Sequence, residues 1–141
     1  MNVVCLHNAR YAETQMLDSA RIGLRYLQPL CDRVLLTPVD VPLFSVETAQ
    51  RLMCCGAPLA APVHGQRKGH PIMLHCEVIP FIDAYDGPGG LAGAFQAYGA
   101  TIQLVEVDDS AILYDADTPE DYQKLVDLAE RKRIFKHTPE K

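Results

Sequence analysis

Apolar residues along the chain fall into two alternating patterns. Short unbroken runs cover residues 2–6, 34–37, 59–63, 71–74 and 102–107, the length of buried strands. Between them apolar positions recur at helical spacing. Leu17, Ala20, Leu24 and Leu27 mark a first helix that Pro29 ends, with Arg21, Arg25 and Gln28 on its expected water face. Ser45 is placed to cap a helix over 46–54, with Glu47 and Thr48 in its first turn. Residues 77–84 predict a short helix, and Leu91, Ala94, Phe95 and Tyr98 the inner face of another. Asp108 and Asp109 turn the chain into a short second strand over 111–114. Thr118-Pro119-Glu120-Asp121 is a helix start: Thr caps, Pro takes the first turn, and the acids meet the positive end of the dipole. Tyr122, Leu125, Val126 and Ala129 are its expected apolar face.

Strands that alternate with helices predict an α/β fold with a mostly parallel sheet flanked by helices. The runs 59–63 and 71–74, joined by the polar segment 64–69, predict a small hairpin insertion. A single domain is expected over residues 1–135, with a frayed tail over 136–141.

Composition narrows the class. The 141 residues suffice for one domain with a real core, and carry 48% hydrophobic and 22% charged residues. A net charge of -5 weighs against a nucleic-acid partner, which needs a concentrated basic surface. The basic run Arg131-Lys132-Arg133 reads as a solvated helix end. No apolar stretch approaches the roughly 18 residues of a membrane span, and no basic region precedes an apolar one at the start, so no membrane is expected and the cytoplasm is the default. The 5 cysteines include no C-x-x-C. They read as small buried hydrophobes in a reducing compartment, and adjacent Cys54-Cys55 is a poor zinc pair.

The leading candidate for chemistry is Asp40, between Pro38 and Pro42, just beyond the 34–37 strand. Open α/β sheets bind ligands at that edge, where a carboxylate is placed to hold Mg²⁺ while phosphates complete the shell. The competing reading is a turn Asp that binds nearby backbone N–H groups. Asp115 and Asp117 follow the 111–114 run; Asp117 either shares a metal with Asp40 or supports the helix that follows. In Gly69-His70-Pro71 the glycine permits close approach, and His70 is placed to bond a phosphate or heterocycle, or else a structural partner. Arg67 and Lys68 either meet an anionic substrate or form an exposed hairpin tip. Asn8 and Ser19 bracket a polar crossing and either contact a nucleotide or order the loop; His7 is equally open. Gly87-Pro88-Gly89-Gly90 lacks both phosphate-loop fingerprints and reads as a lid or plain turn.

Taken in order, these pieces resemble the molybdenum-cofactor nucleotidyltransferase-like family, the NTP transferases related to molybdopterin cytidylyl- and guanylyltransferases. The resemblance spans residues 3–122. It is carried by Asn8 to Glu13 with Met16-Leu17-Asp18-Ser19, by Pro38-Val39-Asp40-Val41-Pro42, by Arg67-Lys68-Gly69-His70-Pro71, and by Asp115-Ala116-Asp117-Thr118-Pro119-Glu120-Asp121. It implies a Rossmann-like fold and Mg²⁺-dependent transfer of a nucleoside monophosphate from an NTP, CTP or GTP favoured, to a phosphorylated small molecule such as molybdopterin. Asp40 would hold the metal and Asp117 assist it. Arg67, Gly69, His70 and Pro71 would shape the acceptor pocket, and Asn8 and Ser19 would lie near a phosphate. The family's opening glycine-rich loop, with its Arg and Lys, has no counterpart here, and Gln15 replaces the Gly before Met16. The chain is therefore expected to match the carboxyl two-thirds of such a domain. It is either a transferase or a noncatalytic nucleotide-binding or assembly protein of the same fold. An uncovered central strand would favour a homo-oligomer.

Overall fold

The computed structural model describes residues 3–136, with side chains through residue 131. Helices α1 (Met16–Leu27), α2 (Val46–Met53), α3 (Ile79–Ala84), α4 (Gly90–Ala97) and α5 (Pro119–Lys136) accompany strands β1 (Arg33–Leu36), β2 (Leu59–His64), β3 (Arg67–Lys68), β4 (Ile72–His75) and β5 (Gln103–Glu106). Single 3₁₀ turns cover Cys76–Val78 and Ser110–Leu113.

The sheet is mixed, not mostly parallel. Among the described residues only β2 and β5 pair in parallel; β1 with β4, β4 with β2, and β2 with β3 are antiparallel. The reason is loop length. A parallel neighbour needs a crossover of a dozen or more residues, and only residues 65–71 link β2 to β4. The chain must therefore return antiparallel, and β4 lies between β1 and β2. The expected hairpin is thus the middle of the sheet, not an insertion over its edge. A tight turn at Gly65 and Gln66, with φ of 53° and 71°, folds β3 onto the end of β2.

Helices cover both faces. Val34, Leu59, Ala61, Ile72 and Leu74 pack with Leu17 and Leu24 of α1, Ile79 and Ile82 of α3, and Leu91, Ala94 and Phe95 of α4. Ala60 and Met73, with Leu35 beside them, face the other way onto Leu52 of α2. The side-chain alternation is that of a strand, but both faces are buried, so β2 and β4 read as unbroken apolar runs. Arg21, expected to face water, instead lies under α3, donating to the Ile82 carbonyl at 3.1 Å and to the Tyr85 carbonyl. A cation there meets the negative end of the α3 dipole.

Two predicted strands are absent. Residue 2 lies outside the described residues; residues 3–6 adopt no regular structure, and Val3, Val4 and Leu6 are exposed. An apolar run cannot hold a strand without a neighbouring ladder, and among the described residues β1 is an edge strand paired only with β4. Residues 111–114 give a 3₁₀ turn because the Asp109 side chain accepts from the Ala111 N–H at 3.3 Å and turns Ala111 and Ile112 inward. The cysteine reading also changes: Cys55 is buried, but Cys5 and Cys54 are exposed and Cys31 and Cys76 half-buried. The expected tail beyond Lys136 lies outside the described residues.

Asp109 is the main polar tie across the fold. It is buried, and accepts from the Ser45 N–H at 2.6 Å and the Thr48 hydroxyl at 2.9 Å, joining the end of β5 to the start of α2. Replacing Asp109 with Ala strands these donors in the interior, where each unsatisfied group costs about 1–3 kcal/mol. Chemical denaturation is expected to register a loss of about 2–4 kcal/mol for Asp109→Ala, and a smaller loss for Asp109→Asn.

Candidate functional site

Strands β1, β2 and β5 run in one direction and β4 in the other. The carboxyl ends of three strands and the start of β4 therefore share one edge. Leu36, the last residue of β1, pairs with Ile72, the first of β4. That register brings the turn after β1 beside the segment before β4.

The turn after β1 closes with a hydrogen bond from the Val41 N–H to the Pro38 carbonyl at 3.3 Å. Val41 is buried and anchors it; Val39 projects into solvent at 95% exposure, leaving Asp40 half-buried beside it. Asp40 Oδ1 is buried and has no hydrogen-bond partner. The expected alternative, a turn Asp satisfied by local N–H groups, is not what this oxygen does.

The segment before β4 is stitched on both sides. The Gly69 N–H donates to the Pro62 carbonyl at 2.9 Å, and the His70 N–H to the Ile112 carbonyl at 3.0 Å. A side chain on Gly69 would overlap the Ile112 carbonyl, so glycine is required by close approach. The His70–Pro71 peptide is cis. His70 Nδ1 is, like Asp40 Oδ1, a buried atom without a partner. Burial lowers the His70 pKa below its ordinary value of 6.5; the charge of Asp40 opposes that shift and Lys68 reinforces it. Asp40 and His70, 30 positions apart in number, thus act on one another across the edge.

Beside His70 opens a cavity of about 580 Å³. Leu91, Phe95 and Ile72 line its apolar wall, with Met16, Gln96, Thr101, Lys68 and His70 around it. Its size is that of a small-molecule site. Lys68, read together with Arg67 as either an anion contact or a hairpin tip, is among the residues that line it. Its partner Arg67 is exposed on β3.

The remaining candidates are arranged differently. Asn8 and Ser19 do meet, the Asn8 amide donating to Ser19 Oγ and Thr14 Oγ1 at 2.9 Å each. Those bonds, with the Arg10 N–H to Asn8 Oδ1, order the loop ahead of α1. Asp117 is exposed in the segment before α5, and Asp115 lines a separate hollow of about 380 Å³ along α5. Among the described residues, no group of three or more His, Cys, Asp or Glu gathers as a cation site. The Gly87-Pro88-Gly89-Gly90 loop is pinned by the Tyr85 hydroxyl, which donates to the Pro88 carbonyl at 2.8 Å, and leads into α4.

A sequence model of the MobA-like NTP transferase domain matches residues 1–103. No curated protein matches the chain by sequence. Among solved structures, Rv0371c from Mycobacterium tuberculosis H37Rv superposes with a TM-score of 0.67 at 20% identity, covering 82% of this chain and 61% of that one. Its homologue from Mycobacterium sp. strain JC1 gives 0.66 at 22%, covering 80% and 58%. A manganese complex of Rv0371c gives 0.63 at 22%, covering 77% and 60%. Molybdopterin-guanine dinucleotide biosynthesis protein A from Archaeoglobus fulgidus gives 0.58 at 12%, covering 84% and 64%. At these identities the likeness is one of fold. The chain spans less than two thirds of the length of each of these structures.

Two measurements check this geometry. Because burial depresses the His70 pKa, His70 contributes stability that is complete above its unfolded value near 6.5 and lost as pH falls through its lower folded value. Its ring resonances are expected to titrate below 6.5, and in Asp40→Asn the midpoint is expected to move lower still. An unchanged midpoint would separate the two residues. Gly69→Ala is expected to cost about 1–3 kcal/mol by denaturation, as overpacking does.

Proposed function

The chain belongs to the MobA-like NTP transferase family, and from that premise we propose that it binds an NTP with Mg²⁺ and transfers its nucleoside monophosphate to a phosphorylated small molecule, molybdopterin being the leading acceptor. The observation that carries this reading is the buried, unpartnered oxygen of Asp40, whose charge acts on His70, together with the cavity of small-molecule size that His70 lines. A carboxylate oxygen is the donor that Mg²⁺ prefers, and Mg²⁺ keeps few protein ligands when phosphates and water supply the rest. A single carboxylate at the edge fits that pattern. The manganese complex of Rv0371c supports divalent-cation chemistry on this fold.

In this reading Asp40 contributes one oxygen to the cation. The bound Mg²⁺ would neutralise charge on the phosphates during transfer. His70, neutral at pH 7, donates one ring N–H to a phosphate oxygen. Lys68 adds positive charge at the cavity wall, and Arg67 supplies more from the hairpin tip. The apolar wall of Leu91 and Phe95 receives the heterocycle. An acceptor phosphate oxygen bonds to the α-phosphorus, the bond to the bridging oxygen breaks, and pyrophosphate leaves. Asp117 is proposed as a helper near the metal, and Asn8 and Ser19 as the ordered platform under a phosphate. The open edge of β1 and the exposed Val3, Val4 and Leu6 support a homo-oligomer as the working assembly.

The test is equilibrium binding of CTP, GTP and ATP to the purified chain, with and without Mg²⁺. Sedimentation of the same sample reads its oligomeric state. Metal-dependent binding is expected, and Asp40→Asn is expected to weaken it at least tenfold, about 1.4 kcal/mol. Binding that ignores both Mg²⁺ and Asp40→Asn would leave a noncatalytic nucleotide-binding protein. No binding by folded protein would remove the transferase reading.

A further inference from the structure

At the end of the β1–β4 pair away from Asp40 and His70, two cysteines face each other. Cys31 precedes β1 and Cys76 directly follows β4. The Cys76 N–H donates to the Asp32 carbonyl at 2.9 Å, continuing the ladder one step past the Arg33–His75 pair. The backbone is therefore held in register at Cys76 and at Asp32, the residue after Cys31. Their sulfurs lie 3.8 Å apart. Both side chains are half-buried against the cluster formed by α1, α3 and α4.

We propose that Cys31 and Cys76 are a reversible disulfide site whose co-substrate is a small disulfide of the glutathione class. In the first step one cysteine sulfur bonds to a sulfur of glutathione disulfide. The glutathione S–S bond breaks, and the departing thiolate takes up the proton. The second cysteine then displaces the remaining glutathione from that mixed disulfide, forming the Cys31–Cys76 bond. Two protein thiols are oxidised, one glutathione disulfide is reduced to two thiols, and the protein loses two hydrogens. Closing the gap from 3.8 Å to the roughly 2.05 Å of an S–S bond asks the two thiols to turn toward each other, Cys31 giving up its 3.4 Å contact with the Leu27 carbonyl.

Burial, then the contact with Cys31, pushes the Cys76 thiol up to about 11, with Asp32 adding to the shift. At neutral pH Cys76 is therefore protonated, and oxidation is slow without an excess of disulfide. Once formed, the bond would fasten β1, the edge strand, to the strand that positions His70.

The experiment incubates the full chain with glutathione disulfide, alkylates remaining thiols and maps the cysteines by mass spectrometry. The expected product is one linked Cys31–Cys76 peptide pair, two hydrogens lighter and reversed by a dithiol reductant. Its unfolding temperature is expected to exceed that of the reduced chain by about 5 °C or more. Alkylation of both Cys31 and Cys76, with glutathione only on exposed Cys5 and Cys54, would overturn the proposal. In Cys31→Ser the temperature gain is expected to vanish; the same gain in that variant would also overturn it. If Cys31→Ser does not fold, the map of the unaltered chain decides.

Discussion

The antiparallel return of β4 is the constraint on which the other features depend. Seven residues join β2 to β4, too few to cross the sheet, so β4 runs back between β1 and β2. Its register is held from both sides, Ile72 to Leu74 opposite Leu36 to Val34, and Met73 and Leu74 opposite Ala60 and Leu59. A slip by one residue would turn Ile72 and Leu74 from the α1, α3 and α4 side toward α2, and Met73 the other way. A slip by two would carry His70 roughly 6–7 Å from the Asp40 turn. The packing that selects the register therefore also selects the site.

Two further ties hold the edge from the β5 side. Asp109 locks the end of β5 to the first turn of α2, and α2 packs under Met73 and Ala60. Ile112, turned inward by that same Asp109, presents its carbonyl to the His70 N–H and leaves room only for glycine at residue 69. The chain from residue 109 to 112 is thus a strut between α2 and His70. This is why the Arg67–Pro71 segment keeps its shape although its hairpin tip is exposed.

What was legible in the sequence follows from how local each signal is. Ser45 as a cap, Pro29 as a stop and Thr118-Pro119 as a start act within one turn, and each helix they mark is present. The apolar runs at β2 and β4 were legible because burial on both faces needs no period, and those at β1 and β5 by composition, although β5 is largely exposed. The antiparallel pairing of β2 with β4 was legible as a hairpin, but its place in the middle of the sheet, with β1 antiparallel to β4, was not. Residues 2–6 and 111–114 have strand-like composition, but a strand exists only with a partner. Asp109 looked like a turn residue since its donors, Ser45 and Thr48, lie more than 60 positions away. The Asp40 turn and Gly69-His70-Pro71 were legible as separate motifs. That they come together at one edge follows from the β1–β4 register, which no local signal carries.

The electrostatics of that meeting bear on what the edge can accept. Had Asp40 and His70 formed an ion pair, the carboxylate would have raised the histidine pKa above its ordinary value. Burial prevails instead, and the pKa is lowered. At pH 7 His70 is then a neutral ring, and it leaves the charge of Asp40 uncompensated. Asp40 Oδ1 is buried without a donor, and a buried polar oxygen left unsatisfied is costly. A cation at this oxygen would recover that cost, while a neutral His70 adds no repulsion against it. An anion alone would meet the charge of Asp40 with only Lys68 and Arg67 in compensation. In the proposed reading cation and phosphate would therefore stabilise one another here, and the edge would suit the pair more than either component.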